Sequence, residues 1–254
     1  MIDIQNQEDT REIPLKKVGV KGVKYPVSVL DKSKKTQTTT ATVDLFVNLP
    51  HKFKGTHMSR FIEVFHKYHT NISVQHFLDM LEEIREKLKA QEAFGTISFP
   101  YFIEKKAPVS GASGIMEYTC SYEGEVKADS RNFFVNIEVP ITTLCPCSKA
   151  ISEYGAHNQR GKVRVKILYS SFFWIEDVIQ MIEECASSPL YSVLKRQDEK
   201  FVTEHAYENP RFVEDIVREV YLGLKKMNFK WFCVEAENEE SIHFHNAYAY
   251  TESC

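Results

Sequence analysis

The sequence predicts an α+β fold in which two consecutive ββααββ units build antiparallel sheets with helices on one face. Two observations carry the prediction. Stretches of alternating apolar and polar residues are separated by stretches whose apolar residues recur at helical spacing. The order of these stretches then repeats without a sequence repeat beneath it, so residues 1–129 and 130–254 read as two modules meeting near Asp129-Ser130-Arg131. No linker rich in Pro and Gly separates them. With 43% hydrophobic and 12% aromatic residues in a chain of 254, there is enough apolar surface to offset the entropy of ordering both.

In the first module, Ala41, Val43, Leu45, Val47 and Leu49 alternate with Thr40, Thr42, Asp44 and Asn48, and Val18 to Leu30 supplies a partner strand. Two helical patterns follow, one through Phe61, Ile62, Val64, Phe65 and Tyr68, the other through Val74, Phe77, Leu78, Leu81, Ile84 and Leu88. Strands around Ile97 to Ile103 and Ile115 to Val126 close it. The second module opens with alternation through Phe133, Val135, Ile137, Val139 and Ile141, then Val163, Val165, Ile167 and Tyr169. Helices run through Ile175, Val178, Ile179 and Ile182 and through Val213, Ile216, Val217, Val220 and Leu224, the latter with Asn209 and Pro210 suited to its N-cap and first position. Strands near 229–237 and 242–250 end the chain.

Composition excludes several classes. The net charge is −3, from 32 Lys and Arg against 35 Asp and Glu, so no global field draws nucleic acid or an anionic membrane. Any anionic ligand must be held by a local cluster. No apolar run approaches the roughly 20 residues that span a bilayer. The start, Met1 to Asn6, has neither a basic segment nor an apolar one, which points to the cytoplasm. Six scattered cysteines, of which only Cys145 and Cys147 are close together, suit buried thiols and one chemically used pair better than a disulfide framework.

Four clusters carry the residue types that chemistry needs. The polar stretch 142–161 holds Cys145, Cys147 and His157 between two predicted strands. Its spacing is not that of a zinc ribbon, and it admits a metal site, a thiol nucleophile beside an imidazole, or buried thiols with a surface histidine. Residues 194–205 are dense in both charges: a solvated loop, or Lys195 and Arg196 facing phosphate with a carboxylate facing a metal. In 239–246, an extended backbone would turn His243 and His245 to one face, for ligation and proton transfer or merely toward solvent. Glu214, near the start of the last helix, gains from the helix dipole whatever else it does.

The stretches T-L-C-P-C-S-K-x-I-S-x-Y-G-A-H-N-Q-R at 143–160, L-K-R-x-D-E-K-x-V-T-E at 194–204, N-P-R-F-V-E-D at 209–215 and E-S-I-H-x-H-N-A at 240–247 closely resemble the type IB GTP cyclohydrolase I family, as does G-x-H-M-S-R-F at 55–61. The resemblance extends from about residue 14 onward. It implies the tunnelling fold of tandem ββααββ modules, a homotetramer with active sites between subunits, and GTP as substrate, with no nucleic acid and no membrane as partner. It also implies a divalent metal, Zn, Mn or Fe, with Cys145, His157, Glu199 and His243 at the metal site. Glu214 is implied as the purine anchor, with Cys145, Glu240 and His245 as catalytic candidates. Arg60, Lys149, Arg160, Lys195 and Arg196 are the candidate cations for the triphosphate.

The implied reaction converts GTP and water to formate and 7,8-dihydroneopterin triphosphate in folate-type pterin synthesis. An archaeal-type relative making a cyclic phosphate of dihydroneopterin is the nearest alternative. A nitrile reductase of the same fold and a non-catalytic purine or pterin binding module are the others. Cys147 is open as a thiol supporting the metal site or as an oxidative partner of Cys145. Two positions depart from the family pattern: Gln197 stands where proline is expected and Asn246 where aspartate is common.

Overall fold

The computed structural model describes Gln5, Gln7 and residues 9–253. Most of the N-terminal stretch 1–6, on which the cytoplasmic expectation rests, and Cys254 lie outside the described residues. The fold is α+β. Its strands are β1 (Leu15–Asp31), β2 (Lys35–Leu49), β3 (Glu92–Lys106), β4 (Ser113–Lys127), β5 (Arg131–Leu144), β6 (Asn158–Leu168), β7 (Phe232–Asn238) and β8 (Ala247–Glu252). They form one sheet in chain order. Helices α1 (Met58–Tyr68) and α2 (Val74–Lys87) separate β2 from β3, α3 (Pro146–Ile151) separates β5 from β6, and α4 (Ile175–Cys185), α5 (Arg196–Glu208) and α6 (Val213–Lys226) precede β7. The first half is therefore ββααββ, and the second keeps that order with two additional helices, α3 and α5.

The chain groups into two compact units, one running to Pro100 and including Ser121–Val135, the other made of Tyr101–Cys120 and the residues from Asn136 onward. In the first, β1 and β2 pair antiparallel from Leu15↔Leu49 to Asp31↔Lys35. The Asp31 carboxylate closes their turn by accepting from the Ser33 and Lys34 amides at 2.9 and 2.7 Å. Gly22 sits at a register shift with φ +72°, a conformation that favours glycine, and its amide donates to Asp44 at 2.7 Å. Val43, Leu45 and Val47 are buried on one face of β2, with Phe61 and Phe65 buried on α1 and Phe77 and Leu81 on α2. Gly95 on β3 and Gly124 on β4 leave room for α2: a Cβ at either would come within 2.8 Å of Leu81 or Phe77.

In the second unit, β6, β7 and β8 pair antiparallel, Val163 facing Ala236 and Ala236 facing Ala249. The buried stripe of α6, Ile216, Val220 and Leu224, has its counterpart in Val163, Val165, Phe232 and Val234. The same unit also buries a polar group: Glu183 of α4 accepts from Lys105 Nζ at 2.7 Å and from the Tyr118 hydroxyl at 2.8 Å. Among the described residues no helix is long and apolar enough to cross a membrane.

Three sequence expectations are corrected. Residues 196–208 form a helix, α5, where a charged stretch between helices was expected. Its only buried residues are Asp198 and Ala206, so it has no apolar stripe to betray it. Asn209 and Pro210 do not start α6: the Asn209 amide donates to the His205 carbonyl at 3.1 Å and ends α5, while Phe212 caps α6. The last strand begins at Ala247, so 242–246 is not strand. His243 and His245 lie in a bend, and their rings stack at 5.2 Å between centroids.

Candidate active site

The site grows from the end of β5, all within the second unit. Thr142, Thr143 and Leu144 finish the strand, and Pro146 starts α3 at the position where a missing amide hydrogen costs nothing. Cys145 between them is the N-cap of α3, and its Sγ accepts from the Ser148 amide at 3.5 Å. The Cys145 amide donates to the His157 carbonyl at 3.0 Å, which folds the 142–161 loop back on itself. Thiol and imidazole thus emerge from paired backbone, twelve positions apart in sequence.

Other segments are tied to the same spot. Leu144 donates its amide to Ser187 Oγ at 3.0 Å, and its carbonyl accepts from the Arg211 amide at 3.0 Å. That second bond places the start of α6 beside Cys145, with Glu214 three residues on. Glu214 is exposed in the first turn of the helix, where the dipole favours a carboxylate. From the other side, the Glu239 amide donates to the Arg160 carbonyl at 2.8 Å and Ser241 Oγ lies 3.3 Å from His157 Nδ1. These bring the loop carrying Glu240, His243 and His245 to β6.

The imidazole of His157 is itself held. Its Nδ1 lies 2.9 Å from Gln159 Oε1, and Gln159 Nε2 donates to Thr143 Oγ1 at 3.0 Å. Gln159 and Thr143 are buried, whereas His157 is partly exposed.

Glu199 lies on the exposed side of the first turn of α5. Its neighbour Asp198 is buried and ties the helix start to the β3–β4 turn, accepting from the amides of Val109 and Ser110 at 2.8 Å, from Ser110 Oγ at 2.6 Å and from the Lys195 amide at 2.8 Å. Burial opposes its ionisation, but the Ser110 hydroxyl and the surrounding amides outweigh this and hold its pKa well below the usual carboxylate range. The far end of α5 is fastened to α3, because Lys149 Nζ donates to the Tyr207 carbonyl and sits 4.3 Å from the centre of its ring. Eight residues of helix, about 12 Å at 1.5 Å per residue, separate Tyr207 from Glu199.

Of the candidate ligands, Cys145 and His157 adjoin. Among the described residues, no three His, Cys, Asp or Glu side chains gather around one point. The donor types nonetheless suit a divalent cation: a thiol, an imidazole, a carboxylate and a second imidazole. Among the candidate cations, Arg160, Lys195 and Arg196 are exposed, while Lys149 is engaged with Tyr207. Arg60 belongs to the first unit, where it donates to the Lys87 carbonyl at 3.3 Å and borders a cavity with His57, Phe53 and Lys89.

Cys147 is exposed on α3. Gln197 is exposed in the first turn of α5. Asn246 donates through Nδ2 to Glu237 at 2.8 Å, a bond an aspartate could not make with that carboxylate ionised. Sequence reasoning missed the roles of Asp198, Gln159 and Ser241. Only the position of Asp198, three residues after the residue that precedes α5, carried a capping signal.

A family model described as "GCHY-1: Type I GTP cyclohydrolase folE2" matches residues 1–249. The chain is 56% identical over 253 residues to a protein named GTP cyclohydrolase FolE2 from Syntrophus aciditrophicus, covering 99% of each. It is 55% identical over 250 residues to one of the same name from Geobacter sulfurreducens, covering 98% of this chain and 96% of that one. Among solved structures it is similar to urate oxidase from Bacillus subtilis, with a TM-score of 0.54 and 7% identity over 93% of this chain and 98% of that one. Uricase from Arthrobacter globiformis gives 0.53 and 7% over 93% and 92%. At such identity the urate oxidases share the fold.

Proposed function

The chain belongs to the type I GTP cyclohydrolase FolE2 family, and from that premise we propose that it hydrolyses GTP to formate and 7,8-dihydroneopterin triphosphate as a metal-dependent cytoplasmic enzyme of pterin and folate synthesis. The observation that carries the reading is the convergence at Leu144 and Cys145. One strand end joins the thiol, the His157 backbone and the start of the helix bearing Glu214.

Guanine offers adjacent N1–H and N2–H donors, and one carboxylate can accept both in a paired, charge-assisted arrangement. Glu214 takes that role, at a helix end that favours its charge. Cys145, His157, Glu199 and His243 are the residues that would hold the metal, which when bound supplies a water of pKa near about 7 for attack on C8 of the purine. His245, stacked on His243, is the candidate for moving protons as the imidazole ring opens and formate leaves, with Glu240 in the same loop as a further catalytic candidate. Arg160, Lys195 and Arg196 offer exposed cations to the triphosphate, and Lys149 and Arg60 remain candidates for the same task.

A homotetramer with sites between subunits belongs to this proposal, as do two modules, 1–129 and 130–254. Exposed apolar side chains flank the candidate site: Ile151 (86%) at the end of α3 and Tyr154 (97%) just beyond it, and Ile242 (65%) and Phe244 on the loop before β8. Such a concentration suits a protein interface.

Formate release from GTP by purified protein loaded with Zn²⁺, Mn²⁺ or Fe²⁺, with mass spectrometry of the pterin product, tests the reading. The linear triphosphate supports it. A cyclic phosphate as sole product replaces it with the archaeal-type reaction, and tight GTP binding without formate reduces the protein to a binding module.

A further inference from the structure

We propose that Gln159 is a positioning residue that holds the neutral His157 imidazole in its Nδ1–H tautomer and so presents Nε2 as an unprotonated lone pair. The inference rests on the reading of His157 as a metal-site residue for its consequence, though not for its geometry. An imidazole nitrogen facing an amide oxygen must carry the proton, because that oxygen only accepts. His157 Nδ1 faces Gln159 Oε1 at 2.9 Å, so the hydrogen resides on Nδ1. Ser241 Oγ, at 3.3 Å from the same nitrogen, can accept a share of it.

The orientation of the Gln159 amide matters, because turning it over would present a donor and drive the proton to Nε2. In this structure Oε1 faces His157 while Nε2 donates to Thr143 Oγ1 at 3.0 Å, and with Gln159 (8% exposed) and Thr143 (0%) both closed to water the tautomer follows from the orientation this pair holds. Thr143 lies on β5 two residues before Cys145, and Gln159 lies on β6 two residues after His157. The strand that ends just before the thiol and the strand that begins just after the imidazole therefore carry the pair that fixes the imidazole's proton. A histidine in the opposite tautomer must move that proton before Nε2 can donate to a cation, and outer partners of this kind commonly change metal affinity by about 10–100-fold.

The test uses ¹⁵N-labelled full-length protein freed of metal by chelation, at a pH where His157 is neutral, with long-range ¹H–¹⁵N correlation reporting its tautomer. Wild type is expected to show Nδ1–H. Gln159→Leu should shift His157 toward Nε2–H and weaken Zn²⁺ binding by about 10–100-fold in a chelator competition. Gln159→Glu, which can still accept from Nδ1–H, should keep the tautomer and restore the affinity, a rescue that a purely structural glutamine would not give. If Gln159→Leu does not fold, Thr143→Val replaces it, and the partial loss of Nδ1–H is the expected result.

Nε2–H in wild type, or an unchanged tautomer in both Gln159→Leu and Thr143→Val, overturns the proposal. Should His157→Ala bind Zn²⁺ as wild type does while Gln159→Leu still switches the tautomer, the metal reading fails and the tautomer lock stands.

Discussion

The Cys145 amide donates to the His157 carbonyl at 3.0 Å, so a thiol and an imidazole separated by eleven residues share one backbone pairing at the mouth of β5 and β6. Their relative placement is therefore set by hydrogen bonds between strand ends. The six-residue helix α3, ending at the exposed Ile151, and the non-helical stretch bearing the exposed Tyr154 make up the intervening chain.

Loss of either side chain from that pair should uncouple metal from protein. Cys145→Ala and His157→Ala are expected to retain the fold, lose most bound metal after dialysis, and release formate from GTP more slowly by several orders of magnitude, since the water is then no longer activated. Metal analysis and formate assay on the same preparation check this. Normal metal content and turnover in Cys145→Ala removes the thiol from the site.

Glu214 should act on the base and leave metal alone. Two charge-assisted hydrogen bonds of roughly 1.5–3 kcal/mol each correspond to a fall in kcat/KM of about 10²–10⁴-fold in Glu214→Ala. Inosine triphosphate lacks the N2 amino group, so wild type should discriminate against it and Glu214→Ala should not. Retained discrimination in the variant assigns guanine recognition elsewhere.

What the sequence made legible follows from what periodicity measures. Alternation reports one-sided burial, and β2, β5 and β6 were accordingly visible through Leu45, Val135 and Val165. Helix α5 escaped because its buried residues are one alanine and one aspartate, leaving a charge pattern indistinguishable from a loop. The Asn-Pro pair at 209–210 is capping chemistry, but its Asn209 side chain donates to the His205 carbonyl at 2.8 Å, closing the helix behind it. Motifs marked Cys145, His157 and Glu214 as a set. Neither Gln159 nor Asp198 stood out, because burial of a polar side chain is a tertiary property that spacing does not encode.

The buried Asp198 links folding to pH. Its carboxylate pKa is depressed in the folded protein, so the unfolded chain binds the proton more readily. The stability it contributes is full above the unfolded value of about 3.9 and is lost as pH falls below it toward the folded value. Asp198→Asn keeps one acceptor oxygen but turns an NH2 group either on the Val109 and Ser110 amides or on the Lys195 amide, and should melt below wild type at pH 7, with the gap closing under about pH 4. Thermal melts of both proteins from about pH 3 to about pH 7, on either side of that unfolded value, check this. A pH-independent gap denies the carboxylate this role.

Glu183 offers the complementary case, a charge whose removal strands others. Its side chain is 9% exposed and meets Lys105, 16% exposed, at 2.7 Å, while the Tyr118 hydroxyl donates to its second oxygen at 2.8 Å. Burial pulls the Lys105 pKa down and Glu183 pushes it back up, and burial with the same carboxylate raises that of Tyr118. Glu183→Ala leaves an ammonium buried without its counter-ion, a loss of about 3–5 kcal/mol. The double variant Glu183→Ala with Lys105→Met removes both charges and should recover a large part of that loss, because a lone buried charge costs more than the pair contributes. Denaturant unfolding of the two variants separates the cases, and equal destabilisation of both would show that packing around α4, not charge, sets the cost.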